Sequence, residues 1–202
     1  MTHSLDNLRE QIDALDQQLQ DLINRRAELA HQVAEVKYAE DPEPVFYRPE
    51  REAQVLRRIK ERNQGPVGSE DMARLFREVM SICLALEQPM RVAFLGPEGT
   101  FTQQAAIKHF GHAAQSVPLG AIDEVFREVA AGAVHFGVVP VENSTEGMVN
   151  HTLDSFMNSE LQICGEVELR IHHHLLAGPH TRKDKVTRIY SHQQTLAQCR
   201  QW

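Results

Sequence analysis

Leu5, Leu8, Ile12, Leu15, Leu19, Leu22, Leu29, Val33 and Val36 follow one another in alternating steps of three and four. That rhythm lines one face of a long helix. Its one gap falls at position 26, where an arginine stands. The pattern predicts a helix from about Ser4 to about Tyr38, capped by Ser4 or Asp6 and broken at Asp41-Pro42-Glu43-Pro44. A second helix begins near Pro49, carries the stripe Glu52, Val55, Leu56 and Ile59, and stops before Gly65. A third, with Ser69 as its expected cap, carries Met72, Leu75, Phe76, Val79, Cys83 and Leu86 to about Glu87, and Pro89 ends it.

The pattern then changes. Arg91 opens a buried strand, R-V-A-F-L, followed by G-P-E-G-T-F-T and a helix from Gln103 to Phe110. A second unit has a helix from Ile122 to Ala131, a strand over 136–141, then E-N-S-T-E-G-M-V and a helix to about Phe156. His172, His173 and His174 are read on a further strand. All eleven glycines lie from Gly65 onward, so the punctuation of mixed α/β structure begins where the helices end. The chain therefore reads as multi-domain, with an all-α three-helix domain over 1–88 and an α/β domain over 91–202.

A net charge of −7, with no long basic run, argues against a nucleic-acid partner. Cys83, Cys164 and Cys199 lack CxxC spacing and read as reduced thiols. Met1 to Leu19 has no apolar core of a signal peptide, and no stretch approaches the roughly 20 apolar residues of a membrane span. A cytoplasmic protein is expected.

Arg26 is the sharpest feature. A guanidinium on a packed helical face costs several kcal/mol unless it is paired and hydrogen-bonded. Glu52 and Glu87 lie within the stripes of the second and third helices and offer internal partners. Lys37, eleven residues on, points within about 20° of Arg26 and lies about 16 Å along the axis, so the two cations could instead hold a small dianion. Both readings are open on these residues alone. A first helix of roughly 50 Å is too long to bury its face on two shorter ones, which implies dimerisation. Arg9 lies about 25 Å from Arg26, and only an antiparallel partner could bring the two together.

L-R-E-Q-I-D-A-L-D at 8–16, I-N-R-R-A-E-L-A at 23–30, Lys37, R-E at 51–52 and C-L-A-L-E at 83–87 resemble the all-helical chorismate mutases. The resemblance implies a domain-swapped homodimer with chorismate bound among helices. Arg26 and the partner's Arg9 would hold its carboxylates, Lys37 would face the ether oxygen, and Arg51 with Glu52 would bind the hydroxyl side. Cys83 stands where a serine often sits, Arg48 replaces an acidic residue near the ring hydroxyl, and Glu87 takes a place often held by glutamine. Lys37, Glu87 and Arg26 would be the catalytic groups. The implied reaction is a Claisen rearrangement that needs no nucleophile, metal or cofactor, only a held conformer and stabilised charge.

In the α/β part, a strand passing through glycines into a helix N-terminus can make an anion site. Neither GxGxxG nor GxxxxGK[ST] is present, so dinucleotide and nucleoside-triphosphate binding are unsupported. Glu142, Asn143, Ser144 and Thr145 gather at a strand's carboxyl end, where open α/β sheets bind ligands. Helix capping by Ser144 or Thr145 is the plainer explanation. Only His172 and His174 could share an ion from one strand face, and no metal site is expected. Ser191, His192 and Asp184 lack a G-x-S-x-G elbow.

G-P-E-G-T-F-T at 96–102, P-V-E-N-S-T-E-G at 140–147 and S-H-Q-Q-T-L-A-Q-C at 191–199 together resemble prephenate dehydratase. Gln193 stands where a proline is usual. The resemblance implies two α/β lobes with prephenate between them, Thr100 in the first loop, and Glu142, Asn143, Ser144, Ser191 and Gln198 in the cleft. The order of the two halves is similar to that of the bifunctional chorismate mutase–prephenate dehydratases of phenylalanine synthesis. In those enzymes a Thr-Arg-Phe motif and a phenylalanine-sensing domain lie further downstream. The sequence ends at Trp202 without them, so an incomplete dehydratase domain is expected. A carboxylate-binding α/β module without catalysis is the alternative. A plain coiled coil would need apolar residues at 26, 52 and 87, which the sequence does not have.

Overall fold

The structure, a computed structural model, describes residues 4–42, 44–143, 147–191, 195, 196 and 199. Three helices come first. Helix α1 spans Leu5–Glu40 and is capped by Ser4, whose hydroxyl accepts from the Asn7 backbone N–H at 3.2 Å. Asp6 lies inside the first turn, where its charge favours the helix N-terminus. Helix α2 spans Pro49–Arg62 and α3 spans Ser69–Glu87. The cap of α3 is Gly68, not the expected Ser69. The Gly68 carbonyl already accepts from Met72 N, while the Ser69 hydroxyl accepts from the Asn63 side chain at 3.2 Å. Glycine is an acceptable cap, and Asn63 draws the serine elsewhere.

Helix α3 is the hub, packed by both α1 and α2. Leu56, Ile59 and Ala73 form a small core between α2 and α3, closed by Val55, Met72, Phe76 and Met80. The long helix contributes little to it. Ala34 is its one buried residue, and residues 5–25 are exposed on every side. The apolar face that the sequence displays therefore meets nothing in its own chain along most of its length.

The α/β part contains β1 (Arg91–Leu95), α4 (Phe101–Phe110), β2 (Gln115–Leu119), α5 (Ile122–Ala130) and β3 (Phe136–Val138). Its three strands are parallel in the order β2-β1-β3, with Val92 opposite both Ser116 and Phe136. Val92, Ala93 and Phe94 are fully buried, as a central parallel strand requires. A hairpin of β4 (Glu142–Asn143) and β5 (Gly147–Met148) follows, and then α6, Asn150–Met157.

Several expectations need correction. Helix α4 starts at Phe101 rather than Gln103, because Thr100 caps it and accepts from Gln103 N. Strand β3 ends at Val138, short of the expected 141, since Pro140 has no N–H to donate. The cap of α6 is Val149, and the capping expected of Ser144 or Thr145 falls on residues that are not described. His172, His173 and His174 are exposed in chain that forms no strand, and among the described residues no strand follows Met148. These residues thus form one small sheet and a hairpin, without the second lobe of the expected pair. No helix among them is long and apolar enough to cross a membrane.

Among the described residues the helical and α/β parts meet around Tyr47 and around Gly111. Tyr47, ahead of α2, and Leu84 of α3 pack on Met90, Val92 and Phe110. Gly111 (φ +81°) presses on α3 so closely that an added Cβ would lie 2.5 Å from Ser81. Beside it, the Glu78 carboxylate accepts from His112 N at 3.1 Å and meets the His112 ring at 3.0 Å.

Candidate active site

Arg26 and Lys37 are eleven residues apart on α1, and Glu87 ends α3 beside them. All three are half-buried. Arg26 Nη1 is buried with no hydrogen-bond partner among the described residues. Lys37 Nζ donates to the Val45 carbonyl at 3.1 Å and lies 4.8 Å from the centre of the Phe46 ring. Burial raises the Glu87 carboxyl above the ordinary glutamate value, and the charges of Lys37 and Arg26 pull the other way. Two cations therefore converge on one acid that retains its proton more readily than a free glutamate.

Glu52 does not meet Arg26. Its carboxylate receives the Arg77 guanidinium at 3.4 Å and lies within reach of the Tyr47 hydroxyl, and burial raises its pKa. The internal Arg26–Glu52 bridge, one of the two readings left open by the sequence, is thereby excluded. Arg77 and Tyr47 carried no signal. Arg77 sits one position off the apolar stripe of α3, and Tyr47 lies in a connection without periodicity.

The remaining helical positions are more dispersed. Cys83 is buried on α3 one turn before Glu87. Arg48 caps α2 through its backbone, its carbonyl accepting from Arg51 N and Glu52 N, both at 3.1 Å. The side chains of Arg48 and Arg51 are exposed. Arg9 is exposed far along α1, 3.7 Å from Asp6, and the helical rise sets it about 25 Å from Arg26 in the same chain. A cavity of about 430 Å³ lies under the 41–48 connection, walled by Tyr38, Phe46, Tyr47, Leu84, Gln88 and Met90 among others. Arg26, Lys37 and Glu87 take no part in that wall.

In the α/β part, β1 and β3 are adjacent and parallel, so the loops leaving their carboxyl ends emerge at one sheet edge. Thr100 lies on the first of these loops, and the second leads into β4, which carries Glu142 and Asn143. Thr100 is committed to its cap and donates to the Leu95 carbonyl at 3.3 Å. Glu142 is exposed and Asn143 half-buried, while Ser191 is exposed at the end of a long segment without strands. Ser144, His192, Gln193 and Gln198 lie outside the described residues. Asp184 pairs with Arg182 at 3.0 Å. Among the described residues no group of three or more His, Cys, Asp or Glu side chains could hold a metal ion.

The family model for chorismate mutase type II matches residues 8–88, and that for prephenate dehydratase matches residues 92–202. The chain is 68% identical to the bifunctional chorismate mutase/prephenate dehydratase of Stutzerimonas stutzeri, over 96% of its own length and 54% of that protein's. It is 67% identical to the protein of the same description in Pseudomonas aeruginosa, with the same shares covered. The one in Neisseria gonorrhoeae is 50% identical over 100% of this chain and 56% of its own. The chain thus spans about half the length of the curated relatives it matches. It belongs to the prephenate dehydratase family, with a chorismate mutase type II region ahead of the dehydratase region in the same polypeptide.

Proposed function

We propose that the helical region, residues 1–88, rearranges chorismate to prephenate in a homodimer, and that the α/β region, residues 91–202, takes prephenate as its ligand. The observation that carries the first assignment is Arg26. A half-buried guanidinium with an unsatisfied Nη1, beside Lys37 and an acid of raised pKa, is a poor structural element and a good anion site. Arg26 and the partner's Arg9 hold the two carboxylates. Lys37 releases the Val45 carbonyl and donates to the ether oxygen, with Glu87 beside it and Cys83 lining the pocket floor. Glu52, Arg51 and Arg48 serve the hydroxyl side. In the reaction the C–O bond breaks as a C–C bond forms, with no proton or electron exchanged with the protein. Rate therefore comes from holding the compact conformer and from cations placed where the oxygen gains charge. The exposed apolar face of α1 supports the dimer.

In the α/β region, Thr100, Glu142, Asn143, Ser144, Ser191 and Gln198 are assigned to the prephenate cleft. Loss of carbon dioxide and water from prephenate would give phenylpyruvate, as in phenylalanine synthesis. No cofactor, nucleic acid or membrane enters this scheme, and the setting is the cytoplasm. The deciding experiment follows chorismate with the purified chain, and prephenate should accumulate. Binding of chorismate or prephenate without turnover would instead identify a carboxylate-binding module.

Glu87 gives this reading a pH signature. Only its protonated form donates a hydrogen bond to the ether oxygen, while the ionised form repels the charge growing there. Its pKa is raised, so the acid persists into mildly acidic solution. The rate should fall by about tenfold per pH unit once pH exceeds that pKa. Glu87→Gln donates at every pH and should flatten the profile. Superimposable kcat/KM profiles for the two proteins would remove Glu87 from the chemistry.

A further inference from the structure

The 41–48 connection brings Tyr47 to the boundary between the helical and α/β parts. Its ring packs on both Phe110 and Phe136 at centroid distances of 5.5 and 5.1 Å, edge-on to the second. Its hydroxyl lies 3.3 Å from Nε2 of His109 on α4. The same hydroxyl lies within reach of the Glu52 carboxylate, whose charge bears on it and which Arg77 holds from α3. Ionised Glu52 can only accept, so Tyr47 donates to it and has its own oxygen free for a proton from His109. Burial, and then the charge of Arg77, lower the His109 pKa, which keeps the ring neutral and fit for that role. Donors thus run one way, from His109 through Tyr47 to Glu52, with Arg77 on the other side.

We propose that Tyr47 is a positioning residue for the mutase pocket, and that its hydroxyl, backed by His109 of the α/β part, fixes where the Glu52 carboxylate stands. The inference rests on the assignment of Glu52 to the substrate hydroxyl. Its consequence is that the α/β part helps to shape the mutase site. Chain carrying Glu52 on α2 is anchored through Tyr47 to Phe110 and Phe136, and the contact of Gly111 with Ser81 fixes α3 against the same unit. A carboxylate held from two sides has already lost its rotamer freedom before substrate arrives.

The ring hydroxyl of chorismate is not at a bond that forms or breaks, so its contact is equally strong in the ground and transition states. Loss of such a contact raises KM and spares kcat. In the full chain, Tyr47→Phe keeps the ring and removes only the oxygen. KM for chorismate should rise about fivefold to tenfold, with kcat changed by less than about twofold. His109→Leu should reproduce this rise, and His109→Gln, which retains a donor, should recover most of the loss. A merely structural tyrosine would lower Tm and leave KM unchanged, and that result would overturn the proposal. The Arg77 Nε–H resonance reports the Glu52 contact by NMR without any substrate, and it should shift in Tyr47→Phe. An unmoved resonance would also overturn it. A wild-type chain that turns over no chorismate would sink the mutase assignment, and the Arg77 resonance would then decide alone whether Tyr47 positions Glu52.

Discussion

Arg26→Ala should lower kcat/KM for chorismate by about a thousandfold and leave the helices folded. The loss follows from the part assigned to the guanidinium, a charge-assisted and preorganised donor in a site partly shielded from water. Removal of one such donor from a preorganised site costs on the order of 10²–10³ in rate, and a substrate carboxylate left without its counter-charge adds to that. Folding should respond differently. Arg26 Nη1 is buried and unsatisfied among the described residues, so removing the group relieves desolvation, while the lost packing of its stem works against this. The two effects should leave stability within about 1 kcal/mol of the wild type. Arg26→Lys should also be strongly impaired, because a point charge does not reproduce a planar fork. Chorismate depletion beside urea unfolding of the same preparations makes the check. An alanine variant that unfolds would mark Arg26 as a structural tie and end its role as a ligand group.

The helices were readable because apolar spacing sustained over about four turns or more admits few other interpretations, and their ends lie close to where caps and prolines set them. Ser69 shows the limit of such reading. A cap is chosen by whichever neighbour engages the hydroxyl first, and here Asn63 does so while Gly68 takes the cap. Strand β2 gave almost no signal, since Q-S-V-P-L is polar and contains a proline. It forms because it is an edge strand bonded only to β1, where a missing N–H can be tolerated. The histidine run at 172–174 erred in the opposite direction. Extended chain becomes a strand only with a partner to pair with, and local composition cannot supply one.

The site divides along the same line. Arg26 and Lys37 are periodic positions on one long helix, so their shared face could be anticipated from angle and rise, whereas the arrival of Glu87 from α3 could not. Glu52 was equally well placed on its helix, yet its actual neighbours are Arg77 and Tyr47. Periodicity identifies the face of a helix. It does not identify which residue of another element will arrive there, and Tyr47 comes from a connection that has no period at all.

Replacing Leu15 and Leu22 together by glutamate should convert a dimer into a monomer and abolish chorismate turnover. Both residues are more than half exposed in the single chain, at 57% and 64%, so the substitutions remove no internal packing, and glutamate is a good helix former. Against a second copy they would place carboxylates in the middle of an apolar seam, at several kcal/mol for each one left unpaired. Two substitutions in each chain put four such charges in the interface, which raises the dissociation constant by many powers of ten. The first 21 residues of α1, exposed on every side, are about 31 Å of helix with nothing of their own chain to lie against. Most helical stability in proteins comes from packing an amphipathic face, so the helical circular dichroism should fall with the dimer. Activity should go too, because Arg9 and Arg26 are about 25 Å apart on one helix and the proposed site takes its Arg9 from the partner. Sedimentation of wild type and variant, with chorismate assays on both, tests each step. A wild-type chain that sediments as a monomer would refute the shared site, and a doubly substituted chain that remains dimeric and active would place the interface elsewhere.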